Sequence, residues 1–299
     1  MYNQITANKR KTWVLILVFS IVVLLCGYAF GQYSGSGYGG LTFAAVFSIV
    51  MALASYYAGD KLALATAGAK PVSAQGNPYV YRMVENLAMT AGLPMPKVYL
   101  INDPQINAFA TGRDPKHASI AVTTGAIEQL ENEELEGVIA HELSHVGNYD
   151  IRLMTVVIVL VGLLSLLSNW FLHLRWLGGG RNDRNSEGRG NLGAILAIVG
   201  LVLLILSPII GKLIQLAVSR KREFLADASG SLLTRYPEGL ARALEKIGQY
   251  NKNPMRGAST ATAHLYISSP FGAAGKRVAN IFATHPPLAE RIKALREMA

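Results

Sequence analysis

His141 and His145 stand four residues apart with Glu142 directly after the first, in the run His141-Glu142-Leu143-Ser144-His145. The run sits in a helical frame. Leu135, Val138, Ile139 and Leu143 recur at helical spacing, Asn132 is expected to cap the helix, and Glu133 and Glu134 fill its first turn. Residues i and i+4 share one face of a helix, so both imidazoles can bind one Zn²⁺ at about 2.0 to 2.1 Å. Glu142, one residue on, reaches a water instead of the metal. Zinc lowers the pKa of such a water to about 7 and polarises a carbonyl, while a carboxylate moves the proton. The H-E-x-x-H pattern therefore suits metal-assisted hydrolysis. The competing readings are a chance pattern on a surface helix and a structural or transport metal site, and the latter has no need of Glu142.

A catalytic zinc site wants a third protein ligand and one open position. The metzincin extension is absent, because Asn148 and Ile151 stand where Gly and His are needed. Asp150, His173, Glu223, Asp227, His264 and His285 are the candidates. Asp150 is too close in sequence to complete the coordination easily, and His173 lies within or at the edge of an apolar span. Glu223 is the best choice. It opens Glu223-Phe-Leu-Ala-Asp227 at the start of a helix, where i, i+4 spacing puts one carboxylate on the metal and the other, Asp227, behind a ligating histidine. The plainer alternative is a solvated Glu223 paired with Arg220 or Lys221. Thiolate ligation is excluded: the single cysteine, Cys26, lies in an apolar run and can form no disulfide within the chain.

The elements that must position these groups are unusually apolar. Of 299 residues, 51% are hydrophobic and 16% charged, which points to a membrane protein. The net charge of +9 is dispersed, with no basic, aromatic-interleaved patch of the kind that binds nucleic acid. Thr12 to Gly59 carries no charge, and a Gly/Ser/Tyr-rich stretch from Gly31 to Gly40 divides it into two segments of spanning length. Lys9, Arg10 and Lys11 place the N-terminus in the cytoplasm by the positive-inside rule. A signal peptide cut near Ala29-Phe30-Gly31 is the weaker alternative, since a second apolar segment follows at once. Leu153 to Leu174 and Leu192 to Val218 form a second pair of spans, joined by a Gly-rich, Arg-containing loop; a buried hairpin on a soluble domain is the alternative.

The chain thus divides into a first hairpin (1–59), a catalytic part with the histidine pair (60–150), a second hairpin (151–218) and a second catalytic part with the third ligand (219–299). His145 and Glu223 can meet only if the chain between them crosses the membrane an even number of times. Eight residues separate His145 from Leu153, roughly 12 Å if helical, so the metal lies near the cytoplasmic membrane surface. Within 60–150, a helix is expected from Pro78 to about Ala91, capped by Asn77 and ended by Gly92. Lys97–Ile101, Asn107–Thr111 and Ser119–Thr123 read as a small antiparallel sheet. Helices follow through the 130s and 140s, after Arg220, from Pro237 to Tyr250 and from Pro287 to Met298.

The chain resembles the HtpX-type membrane zinc metallopeptidases, heat-shock-linked enzymes related to the CAAX prenyl endopeptidases. The resemblance rests on Ile106-Asn-Ala-Phe-Ala110, Glu136-Gly-Val-Ile-Ala-His-Glu-Leu-Ser-His145, Arg222-Glu-Phe-Leu-Ala-Asp227 and Thr284-His-Pro-Pro-Leu-Ala-Glu-Arg291, in that order among four apolar spans. It implies an α+β membrane protein with four transmembrane helices and a gluzincin-like, mainly helical catalytic domain. It further implies one zinc per subunit on His141, His145 and Glu223, Glu142 as base, and a multi-pass place in the bacterial cytoplasmic membrane. Damaged or misassembled membrane proteins are the implied substrates. The strand Asn107-Ala108-Phe109-Ala110 is implied to bind extended substrate backbone. His285 and Arg291 are implied to approach the zinc and stabilise an oxyanion. A prenyl-protein endopeptidase would use more spans, and a non-catalytic adaptor with a dead protease fold would not need Glu142. The topology is testable: reporters fused after Gly59 and at the C-terminus should both read cytoplasmic, and one in the 181–189 loop exported. An exported C-terminus would contradict a shared site.

Overall fold

The computed structural model describes residues 2–33, 35–160, 162, 220–251, 253–257, 259, 262–272 and 286–298. Helices α1 (Tyr2–Tyr33) and α2 (Gly39–Thr66) pair as the expected hairpin. Both are long and apolar enough to cross a membrane, over Ile5–Tyr28 and Gly39–Thr66. Trp13, Leu17, Leu25, Phe43, Ile49 and Leu53 stand exposed along them, which lipid tolerates and water does not. The crossing is made by glycines: a Cβ on Gly40 would lie 2.4 Å from the Gly27 carbonyl oxygen. Small residues let two backbones approach where lipid offers no hydrophobic drive for association. Apart from 153–160 and 162, the two later candidate spans lie outside the described residues.

Among the described residues, β1 (Lys70–Pro71), β2 (Lys97–Ile101), β3 (Ala108–Gly112) and β4 (Ala118–Thr123) form one sheet in the order β1-β2-β4-β3. The sheet is mixed, which corrects the antiparallel expectation: β2 runs parallel to β4, with Val98 opposite Ile120. The reason is topological. The chain passes the β4 position, runs back as β3 and returns as β4 between the two, so β2 and β4 point the same way. Strand β3 is left at the edge of the sheet.

Helix α3 (Pro78–Thr90) begins as its sequence dictates, with Asn77 accepting the Val80 amide at 3.1 Å, and Gly92 takes φ +64 just past its end. After α4 (Thr124–Gln129) comes α5 (Asn132–Gly147), the helix of the histidine pair. Its expected Asn132 cap is corrected. Glu131 holds the N-cap position and donates its amide to Glu134 at 2.8 Å, while Asn132 accepts from the Tyr79 hydroxyl. Tyr149, at φ +60, breaks the helix, and a new one, α6, covers 150–160. Then come α7 (Arg220–Thr234), α8 (Pro237–Tyr250) and α9 (Leu288–Arg296).

α5 runs through the middle of this domain. It packs on α7, α8, α3 and β3, and Leu135, Val138, Ile139 and Leu143 are buried in one apolar core with Val80, Ile120 and Leu244. Asn77→Ala should destabilise this domain by about 1 kcal/mol in denaturant unfolding, and Asn132→Ala by clearly less. Equal losses would return the α5 cap to Asn132.

Candidate metal centre

α5 and α7 together carry the site. On α5, His141 and His145 are fully buried, with their Nε2 atoms 3.2 Å apart and the rings at right angles. From α7, Glu223 faces both, Oε2 at 3.8 Å from His141 and Oε1 at 3.7 Å from His145. One ligand atom from each of the three lies within 4.8 Å of the others. Behind the rings, Nδ1 of His141 lies 2.9 Å from Asp227 Oδ1, and Nδ1 of His145 lies 3.0 Å from Asp150 Oδ2. A carboxylate at Nδ1 keeps the hydrogen there and turns the bare Nε2 lone pair inward. Two lone pairs and a carboxylate then converge in a dry space, which is repulsive until a cation enters. Two nitrogens and one oxygen at this spacing suit Zn²⁺ with a position left open.

The electrostatics say the same. Burial works to lower the His145 pKa, but the Asp150 hydrogen bond and the charges of Glu223, Asp150 and Glu142 outweigh it and raise it to about 9. His141 moves the other way: burial, with Arg291 and His145 beside it, holds it down against Asp227. A metal ion among the ligands would oppose protonation of both rings, so its binding is expected to release protons. Glu142, 1% exposed, is pushed up to about 7 by burial, with Glu223 adding to the push and His145 opposing it. It takes a hydrogen bond from the Ala110 backbone amide, and its Oε2 has no hydrogen-bond partner among the described residues. A cation among the ligands would draw it back toward the ordinary carboxylate range.

Glu223 is not the solvated residue of the plainer alternative. It is 1% exposed, whereas Arg220 and Lys221 face outward. Asp227 lies behind His141 as its spacing suggested. Arg291 is fully buried: Nε and Nη2 donate to Asp227 at 2.8 and 2.6 Å, Nη1 donates to the Ile267 carbonyl and lies 3.6 Å from Glu223. Its fork closes on the site's own carboxylates, beside the candidate ligand Glu223. His285 and His173 lie outside the described residues. His264 is buried elsewhere, with Nε2 3.1 Å from the Met154 carbonyl.

Asn107, Ala108, Phe109 and Ala110 are all buried. Ala108 accepts the Ile267 amide, the Asn107 side chain holds both backbone groups of Ser268, and Phe109 meets Tyr266 edge to face. Sequence reasoning misses the role of three groups: Asp150 enters it only as a candidate ligand, Arg222 only as the first residue of a motif, and Asn8 not at all. Five residues from His145, Asp150 could have been read as its hydrogen-bond partner; nothing local marks Asn8.

Buried histidines on one helix, a carboxylate from another and a free glutamate oxygen beside them make the site of a metal-dependent hydrolase. Comparison with known proteins narrows this class. Residues 74–299 match the model of peptidase family M48. A "Protease HtpX homolog" of Caldanaerobacter subterraneus subsp. tengcongensis is 48% identical over 298 residues, covering 100% of this chain and 98% of the relative. Another, of Streptococcus gordonii, is 41% identical over 300 residues and 100% of both. The crystal structure of S. mikatae Ste24p has the same fold at a TM-score of 0.51 and 18% identity, over 99% of this chain and 67% of that one. The chain belongs to peptidase family M48, and is thereby a metallo-type protease.

Gly230 of α7 lets the two helices meet: a Cβ there would lie 2.9 Å from the His141 amide nitrogen, against backbone that cannot yield. Gly230→Ala should push α7 and Glu223 away and weaken binding of a divalent metal by about tenfold in chelator competition. Gly76→Ala, where a Cβ finds its nearest neighbour at 3.6 Å, should leave it unchanged.

Proposed function

We propose that the protein is a zinc-dependent endopeptidase of the bacterial cytoplasmic membrane, with four transmembrane helices and a catalytic site facing the cytoplasm. The observation that carries this reading is the convergence of His141, His145 and Glu223 beside the unpartnered Glu142 oxygen. One zinc per subunit, held by those three residues, supplies a Lewis acid that polarises the scissile carbonyl and acidifies water. Glu142 accepts the proton of the attacking water and returns it to the leaving amine. Asp227 and Asp150 orient the two imidazoles, and Arg291 holds Asp227 and Glu223 in place. His285, next to Pro286, is the donor assigned to the developing oxyanion.

Substrates are proteins, mainly damaged or misfolded membrane proteins and in addition cytosolic ones, cut in the service of quality control. The hairpins at 1–59 and 151–218 set the catalytic parts 60–150 and 219–299 against the bilayer, and the two apolar helices α1 and α2 support that placement. Extended substrate backbone is received alongside Asn107–Ala110 on β3, where it displaces the Ile267 amide from the Ala108 carbonyl; the Ala110 amide touches Glu142, so a peptide there lies beside the base. Glu142→Gln should keep its zinc in elemental analysis and lose casein cleavage by at least about 10²-fold, because it removes proton transfer and no ligand. Glu223→Ala should lose both metal and activity. Turnover retained in Glu142→Gln would overturn the mechanism.

A further inference from the structure

His145 is oriented through a chain of contacts that ends in the membrane anchor. Its Nδ1 meets Asp150 Oδ2 at 3.0 Å, and the other carboxylate oxygen, Oδ1, accepts from Arg222 Nε at 2.9 Å and from Asn8 Nδ2 at 2.7 Å. Asn8 lies near the start of α1. Its amide nitrogen also donates to the Asn148 carbonyl at 2.9 Å, and its oxygen accepts from Arg222 Nη2 at 3.0 Å. All five residues are buried: His145 3%, Asp150 1%, Asn148 2%, Arg222 8% and Asn8 2% exposed. Asn8 therefore sits where α1, the end of α5, the start of α6 and the start of α7 come together. Arg222 immediately precedes Glu223, so one side of this junction leads to the carboxylate ligand and the other to a histidine.

We propose that Asn8, a residue of the membrane-anchoring helix, is a positioning residue of the metal site, fixing the Asp150 carboxylate and through it the ring of His145. The inference rests on the zinc reading above. An Asp150 held by Arg222 alone can turn about that single contact, and its turning carries the Nδ1 hydrogen with it. An amide at residue 8 removes this freedom, because both of its polar atoms are committed, the nitrogen to Asp150 and Asn148 and the oxygen to Arg222. Arg222 in turn donates through Nη2 to the Asn8 oxygen, which keeps its Nε directed at the Asp150 carboxylate. Anchor and active site are joined through the side chain of Asn8 in one hydrogen-bonded unit.

The test is zinc affinity of the full-length protein in detergent, by chelator competition, with the visible spectrum of the cobalt-substituted form as a second readout of the ligand field. Asn8→Ala should weaken zinc about tenfold, the low end for losing a partner behind a metal-ligating histidine, and alter the cobalt spectrum. Asp150→Asn should weaken it about 10- to 100-fold. Adding Asn8→Ala to Asp150→Asn should cost little further, since both act through one group. Leu15→Ala, which loosens the same helix without touching the junction, should lower thermal stability of the zinc-free protein and leave zinc affinity unchanged. Wild-type affinity and spectrum in Asn8→Ala, or additive losses in the double variant, would overturn the proposal while the zinc reading stands. A wild type that binds no zinc would overturn the reading itself.

Discussion

Everything in the catalytic half follows from one electrostatic constraint: bare nitrogen lone pairs and a carboxylate meet at 3.2 to 3.8 Å with almost no solvent. Such a group is held together only by positive charge at its centre and by a surrounding set of partners that prevents each member from turning away. Each member has such a partner. Asp227 stands behind one imidazole and Asp150 behind the other, and each of these carboxylates is itself gripped by a buried arginine, Arg291 and Arg222. Along these two branches the groups alternate outward from the centre, carboxylate behind imidazole and arginine on carboxylate.

That alternation dictates the packing. α5 has to be buried over nearly its whole circumference, because the histidine face points at α7 while the opposite face fills the apolar core. A helix so enclosed cannot shift to relieve a poor contact, which is why close approach is secured by glycine at Gly230 and again at Gly137, where a Cβ would meet Leu240 backbone at 2.8 Å. The rigid placement of ligands on helices, with β3 touching the base through Ala110, leaves adjustment to segments outside the core.

What could be read from the amino-acid sequence was what local spacing controls. The histidine pair, Glu142, and the Glu223/Asp227 pair all depend on four residues making about one turn, and the structure sets them on shared faces as that period requires. Asn77 and Gly92 were legible for the same reason. The parallel pairing of β2 and β4 was not, because it depends on which side of a strand the chain returns to, and alternation of residue types is the same in either case. The Glu131 cap was hidden by an equally good Asn132 one residue later. Least visible were the contacts of Arg291, Arg222 and Asn8. They join positions 64, 72 and 142 residues distant from their carboxylates, 227, 150 and 150, and no local pattern encodes a partner so far away.

The same separation has a consequence for how the molecule comes into being. The members of this site are strung from position 8 to position 291 of a 299-residue chain. The arginine that grips Asp227 is thus made after every other named member of the site, and Asn8 before all of them. Until the two meet through the folded domain, Asp227 and Asp150 lack part of the set that holds them. The site is therefore a product of the whole fold and of no single segment of it.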